Sequence, residues 1–172
     1  MFIEADKKIT PFCFGKATFW LRYDNRAFLN IEKEGFEPLN ILRSEDNPKA
    51  VRSFLVNGLA DFGKASGYSR EEIKDIANAL MTAEGFGDVL IATIALAVVN
   101  ALPVAPIGMK KPDKEGKSDI TSLMTCFCDI MGKSEEEFWS STLREVHERW
   151  ERYGAATGKI KPVEEFREFD DD

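Results

Sequence analysis

"GDVLIATIALAVVNALP", residues 87–103, is the stretch on which the fold turns. Between Asp88 and Pro103 it carries no charge, and only Thr93 and Asn100 interrupt the aliphatic run. Val89 to Leu102 makes 14 residues, which as a helix span roughly 21 Å at ~1.5 Å per residue. Crossing a bilayer core takes about 20 apolar residues, and runs of ~10–14 are more often buried core helices. Glu84 and Asp88 stand just before the run, Pro103 ends it, and Lys110–Lys111 comes too late to lengthen it. The stretch therefore reads as a core helix. Apolar almost all round, it should be enclosed by other helices, with Val89, Ile91, Ile94, Leu96 and Val99 buried.

The segments upstream supply that enclosure. "ITPFCFGKATFWLRYD" (9–24) reads as a β-hairpin over about 10–23, with Phe12–Phe14 and Phe19–Tyr23 flanking Gly15–Lys16 as the turn. The period then changes. "DNRAFLNIEKEG" (24–35) has Asp24 as N-cap, Phe28 and Ile31 on one face and Gly35 as stop. "NPKAVRSFLVNGLADFG" (47–63) is capped by Asn47, with Pro48 in the first turn and Val51, Phe54, Leu55, Leu59 and Phe62 as its stripe. "SREEIKDIANALMTAEG" (69–85) opens with a capping box, Ser69 with Glu72, and turns Ile73, Ile76, Ala77, Leu80 and Met81 inward.

Downstream the composition shifts. "PVAPIGMKKPDKEGK" (103–117), with three prolines and two glycines, reads as a linker or mobile loop. "SDITSLMTCFCDIMG" (118–132) reads as a short helix with Ile120, Leu123, Met124, Phe127, Ile130 and Met131 inward. A second capping box, Ser134 with Glu137, starts "SEEEFWSSTLREVHERWERY" (134–153), read as one helix. There Trp139, Leu143, Val146, Trp150 and Tyr153 are spaced 4, 3, 4, 3, a heptad-like seam. With Phe138, these residues are the candidate partner interface, because two helices bury little alone and the seam must pack back on the first domain or onto another chain. The tail "KPVEEFREFDDD" (161–172) holds six acids and two bases, with Phe166 and Phe169 among them; it reads as solvated, a docking peptide being the alternative. The expected fold is mainly α with a small N-terminal β-hairpin (α+β). Residues 1–102 form a hairpin plus helical core domain, 103–117 a linker, 118–154 a two-helix module and 155–172 an acidic tail.

Composition narrows the function. Thirty acids against 23 bases leave a net charge of −7, which argues against nucleic acid, since affinity there rests on Lys and Arg meeting phosphates. "MFIEADKKIT" (1–10) does not read as a secretory signal, so the chain is expected to be soluble and intracellular. Cys13, Cys126 and Cys128 read as reduced thiols. Residues two apart on a helix diverge, and His147 is the single histidine, so Cys126 and Cys128 read as small hydrophobes and no zinc is expected. His147 lies among Glu145, Glu148 and Arg149 with no nucleophile nominated beside it. Phosphate-cradling glycine motifs are absent, and "EGFGD" (84–88) is a helix stop and restart. The expectation is a non-enzyme without cofactor or bound nucleotide.

The run "FCFGKATFWLRYDNRAFLNIEKEG" (12–35) resembles the start of the tail assembly chaperones of long-tailed phages, most closely the tail tube-associated chaperones of gene transfer agents. Their pattern is a short strand, Gly-Lys, a second strand ending in Leu-Arg and an aromatic, then a helix ending in acids and Gly. The resemblance extends through "LVNGLADFGKASGYSREEIKDIANAL" (55–80) and the alanine-rich helix, covering 11–102. "MGKSEEEFWSSTLREVHERW" (131–150) looks like the second module of such systems, often carried on a separate or frameshift-extended product. The resemblance implies a chaperone of the host cell cytoplasm that binds the tape-measure protein, recruits tail tube subunits and is absent from the mature virion. It leaves homo-oligomerisation open and involves no membrane. The alternative is a structural virion protein, such as a connector or tail completion component. Within the resemblance, the chaperone surface is expected on Trp139–Tyr153 and the 87–103 helix in the core.

Overall fold

The computed structural model describes residues 8–37, 47–103 and 120–158. It begins with an antiparallel hairpin, β1 (Thr10–Phe14) and β2 (Ala17–Leu21), paired Thr10 to Leu21, Phe12 to Phe19 and Phe14 to Ala17. Gly15 opens the two-residue turn at φ +60°, a conformation that costs glycine little because it lacks a Cβ. Period-2 alternation turns Thr10 and Phe12 inward, with Pro11 and Cys13 outward. Phe12 stacks on Phe19 at 5.6 Å between ring centroids.

Helices follow in sequence order: α1 (Asn25–Lys33), α2 (Pro48–Gly58), α3 (Ala60–Ser66), α4 (Arg70–Thr82) and α5 (Gly87–Ala101), then α6 (Ile120–Met131), α7 (Glu135–Trp139) and α8 (Leu143–Ala156). The fold is mainly helical with an N-terminal two-stranded hairpin, as the sequence predicts. The caps lie where the side chains place them. Asp24 accepts from Ala27 N at 2.7 Å, Asn47 from Lys49 N and Ala50 N, and Ser69–Glu72 and Ser134–Glu137 are reciprocal capping boxes. A third box, Thr142 with Glu145, starts α8.

Two predicted helices are broken. The 47–63 segment divides at Leu59, because the carbonyl of Gly58 accepts the N–H of Arg22 (2.9 Å) instead of the amide four residues on. Gly58 also abuts Tyr23: a Cβ there would sit 2.8 Å from the phenol ring. The 134–153 segment divides at Ser140–Thr142, where the carbonyl of Ser141 accepts from Asn25 N (2.9 Å) and that of Phe138 from Asn25 Nδ2 (2.8 Å). The link between β2 and α1 donates to a carbonyl at each break. The predicted two-helix module is thus three helices, and Trp139 belongs to a different helix from Leu143–Tyr153.

The core gathers Leu21, Tyr23, Phe28, Ile31, Phe54, Leu55, Leu59, Leu80, Leu90 and Ile94, each at most 2% exposed. Contacts of α5 run to β1, α2, α4 and α8. Two predicted sets of buried residues need correction. On α5, Leu90, Ile94, Ala97, Val98 and Ala101 are buried and Ile91 is partly buried, whereas Val89, Leu96 and Val99 are 53, 54 and 58% exposed. Those neighbours lie along one side of α5, so its opposite side stays bare although it is equally apolar. On α6, Phe127 is buried but Leu123 and Ile130 are exposed. No helix among the described residues is long and apolar enough to cross a membrane. The proposed linker falls, apart from Pro103, Lys117 and its neighbours included, within 104–119, which lies outside the described residues, as does the tail from 159 with Phe166 and Phe169.

Candidate partner-binding surface

The residues selected from sequence as an interface are distributed over two helices and turned largely inward. Phe138 is fully buried, 5.6 Å from the Phe127 ring and 5.1 Å from that of Trp139. Val146 is buried, and Trp139 and Leu143 are partly buried against the core. Trp150 and Tyr153 lie together, ring centroids 6.4 Å apart, both partly exposed. The heptad spacing of Leu143, Val146, Trp150 and Tyr153 does put them on one face of α8; Leu143 and Val146 on that face pack into the core, and α8 contacts α5 and α6.

Polar contacts hold these helices to the rest of the chain. Arg22, 9% exposed, donates from Nη1 to Asp61 Oδ2 (2.8 Å), and from Nη2 to the Ser140 carbonyl (2.7 Å) and Glu145 Oε2 (3.0 Å). It therefore ties the end of β2 to α3 and to the α7–α8 break. Asp24 lies beside this cluster, and burial raises its carboxyl above the ordinary value, opposed by the Ala27 N–H it accepts. Arg144 reaches from α8 to the carbonyls of Leu102 (2.7 Å) and Val99 (2.9 Å). Those are C-terminal carbonyls of α5, a helix with no basic residue in its own last turn, so α8 supplies the cationic cap.

The surface that remains apolar lies elsewhere. Val89, Ala92, Leu96, Val99 and Pro103 are all exposed and fall on one side of α5 and its exit. Three of the six large hydrophobics that stand exposed among the described residues are on this stripe. Reading the sequence alone missed it. Its 3-4-3-4 spacing was visible, but apolar residues point in every direction around α5, and nothing local says which of them the neighbours will cover.

A depression of about 240 Å³ is lined by Arg26, Lys64 and Arg70 together with Asp24 and Asp61. Arg26 pairs with Glu136 and Lys64 with Asp61, and the lining includes no Ser, Cys or His. His147 Nδ1 lies 3.7 Å from Glu151 on the open side of α8. Among the described residues no group of three His, Cys, Asp or Glu converges as a metal site. Cys13 is exposed and Cys128 partly buried, its thiol pushed up by desolvation and then by Glu135, Asp129 and Glu137; the side chain of Cys126 lies outside the described residues. No family model, curated protein or solved structure matches the chain.

Proposed function

We propose that this chain is a phage tail assembly chaperone, a non-catalytic protein that binds the tape-measure protein and recruits tail tube subunits in the host cytoplasm. The observation that carries the holding role is the bare aliphatic side of α5, an exposed stripe on the least polar helix of the chain. An exposed apolar stripe at helical spacing is the form in which one helix packs on another. The identity of the partner comes from the resemblance of residues 11–102 and 131–150 to tail assembly chaperones. A tape measure is a long helical chain whose apolar stripes aggregate when bare, and helices laid against it would shield them.

The test has two parts. Co-expressed with the tape-measure protein of the same element, the chain should co-purify with it and keep it in solution. Finished particles, quantified by mass spectrometry, should lack the chain. A fixed copy number in finished particles would instead favour a connector or tail completion component.

A further inference from the structure

The exposed stripe of α5 has a shape as well as a polarity. Val89, Ala92, Leu96, Val99 and Pro103 recur at intervals of 3, 4, 3 and 4, the spacing by which one helix offers a seam to another. Ala92 makes a low point between Val89 and Leu96, room for a large side chain from a facing helix. Thr93 and Asn100 border one side and Ala95 the other; Asp88, with Glu84 just before it, puts acidic charge at the N-terminal end, and the Arg144 guanidinium sits at the C-terminal end on the Val99 and Leu102 carbonyls. An uncharged seam selects an apolar stripe, because a charge pressed against it would lose water and gain no partner.

Size indicates what kind of occupant it takes. Fifteen residues of α5 give a strip roughly 22 Å long and 10 Å wide, roughly 200 Å² in footprint against about 800 Å² per partner in a stable pair. Two copies meeting on this seam alone fall well short. A second copy would also bring its own net charge of −7 to the contact, whereas a helix flanked by Lys or Arg would meet Glu84 and Asp88 with the opposite sign.

We propose that the outer face of α5 docks an amphipathic α-helix of another protein, one whose apolar residues recur at heptad spacing and whose flank carries Lys or Arg opposite Glu84 and Asp88. This rests on the tape-measure reading and moves its contact surface from the C-terminal helices to α5. The experiment uses the full chain and two probes. One is a labelled synthetic peptide of about four heptads with Leu on a single stripe and Lys beside it, with a control of the same composition and scattered Leu. The other is a helical fragment of the tape-measure protein. Binding is read by anisotropy for the wild type, Leu96→Glu and the charge variant Asp88→Lys.

The wild type should prefer the striped peptide over its control by about tenfold, and Leu96→Glu should weaken both probes by about tenfold. Asp88→Lys should weaken them less and flatten the dependence on salt. Equal binding of the tape-measure fragment by wild type and Leu96→Glu would overturn the surface and leave the chaperone reading standing. Wild-type binding of the striped peptide but not of the fragment would uphold the surface and sink the reading. Two further outcomes overturn the proposal. If Leu96→Glu lowers the unfolding temperature of the free chain, residues of this chain cover the face. If it abolishes a self-association seen in the wild type, a second copy does.

Discussion

On α5, Val89, Leu96 and Val99 stand more than half exposed, whereas on α8 Val146 is buried and Leu143, Trp150 and Tyr153 are partly covered. The helix with the least polar sequence is thus not the best-covered one. Burial depends on how many neighbours a helix has relative to how many apolar directions it presents. The apolar residues of α8 form one stripe, of which Leu143 and Val146 pack into the core, and α8 contacts both α5 and α6. On α5 they point everywhere, and the elements around it reach one side. Fully burying a Val or Leu contributes about 1.5–3 kcal/mol, so three half-exposed aliphatics forgo a sizeable stabilisation that an external helix would recover.

The sharpest way to break this comparison is to truncate one side chain from each set. Phe138→Ala should lower stability by about 3–5 kcal/mol in urea unfolding, since the ring is fully buried between Phe127 and Trp139. A loss under about 1 kcal/mol would mean that α7 does not pack in solution as described. Arg22→Met comes next. It leaves Asp61 and Glu145 facing each other's charge without the guanidinium, and the Ser140 carbonyl without a donor. Breaking a buried pair costs about 3–5 kcal/mol, and the partial exposure of both carboxylates reduces this to about 2 kcal/mol. Amide exchange should then accelerate in α7 and α8 more than in α2, and uniform acceleration would count against a local tie.

Thr142→Ala removes the cap of α8 and should cost about 1 kcal/mol, read as a lower unfolding temperature. A smaller effect is pH-dependent. Hydrogen bonds from Ser134 hold the Glu137 carboxyl below its ordinary value, and those from Ser69 do the same for Glu72. A depressed folded-state value means stability that is present above the unfolded value of 4.5 and lost as pH falls through the folded one. Asp24 runs the opposite way: its raised value makes ionisation a cost of folding that acid relieves. Glu137→Gln should therefore unfold below wild type at neutral pH, with the gap closing in acid; a gap constant with pH would remove the ionised cap from the account. Smallest of all, Leu96→Ser on the bare side of α5 should change the stability of the free chain by less than about 0.5 kcal/mol.

The failed expectations have a common origin. Ser69, Ser134 and Asn47 each cap a helix that begins one residue later, and Gly15 turns a hairpin whose strands alternate, so these features depend on neighbours within a few residues. The interface residues Phe138 and Val146 have the right spacing for a seam, yet their surroundings come from Asn25, Phe127 and α5, over a hundred residues away in one case. The identity of a stripe is local; its occupant is not.

Composition, period and capping residues in the sequence determined a hairpin followed by helices, their starting points and the apolar character of 87–103. Tertiary structure decided where the 47–63 helix breaks and which side of α5 is left bare; the second break is also marked locally, by the Thr142–Glu145 capping box. The link from Arg22 to Asn25 donates to the carbonyls of Gly58, Phe138 and Ser141, at the ends of α2 and α7 and just before α8, and so satisfies groups left over where the helices stop. Likewise, the bare side of α5 is the one that β1, α2, α4 and α8 fail to reach. An apolar side chain carries no directional preference of its own, so only the placement of distant elements could select it.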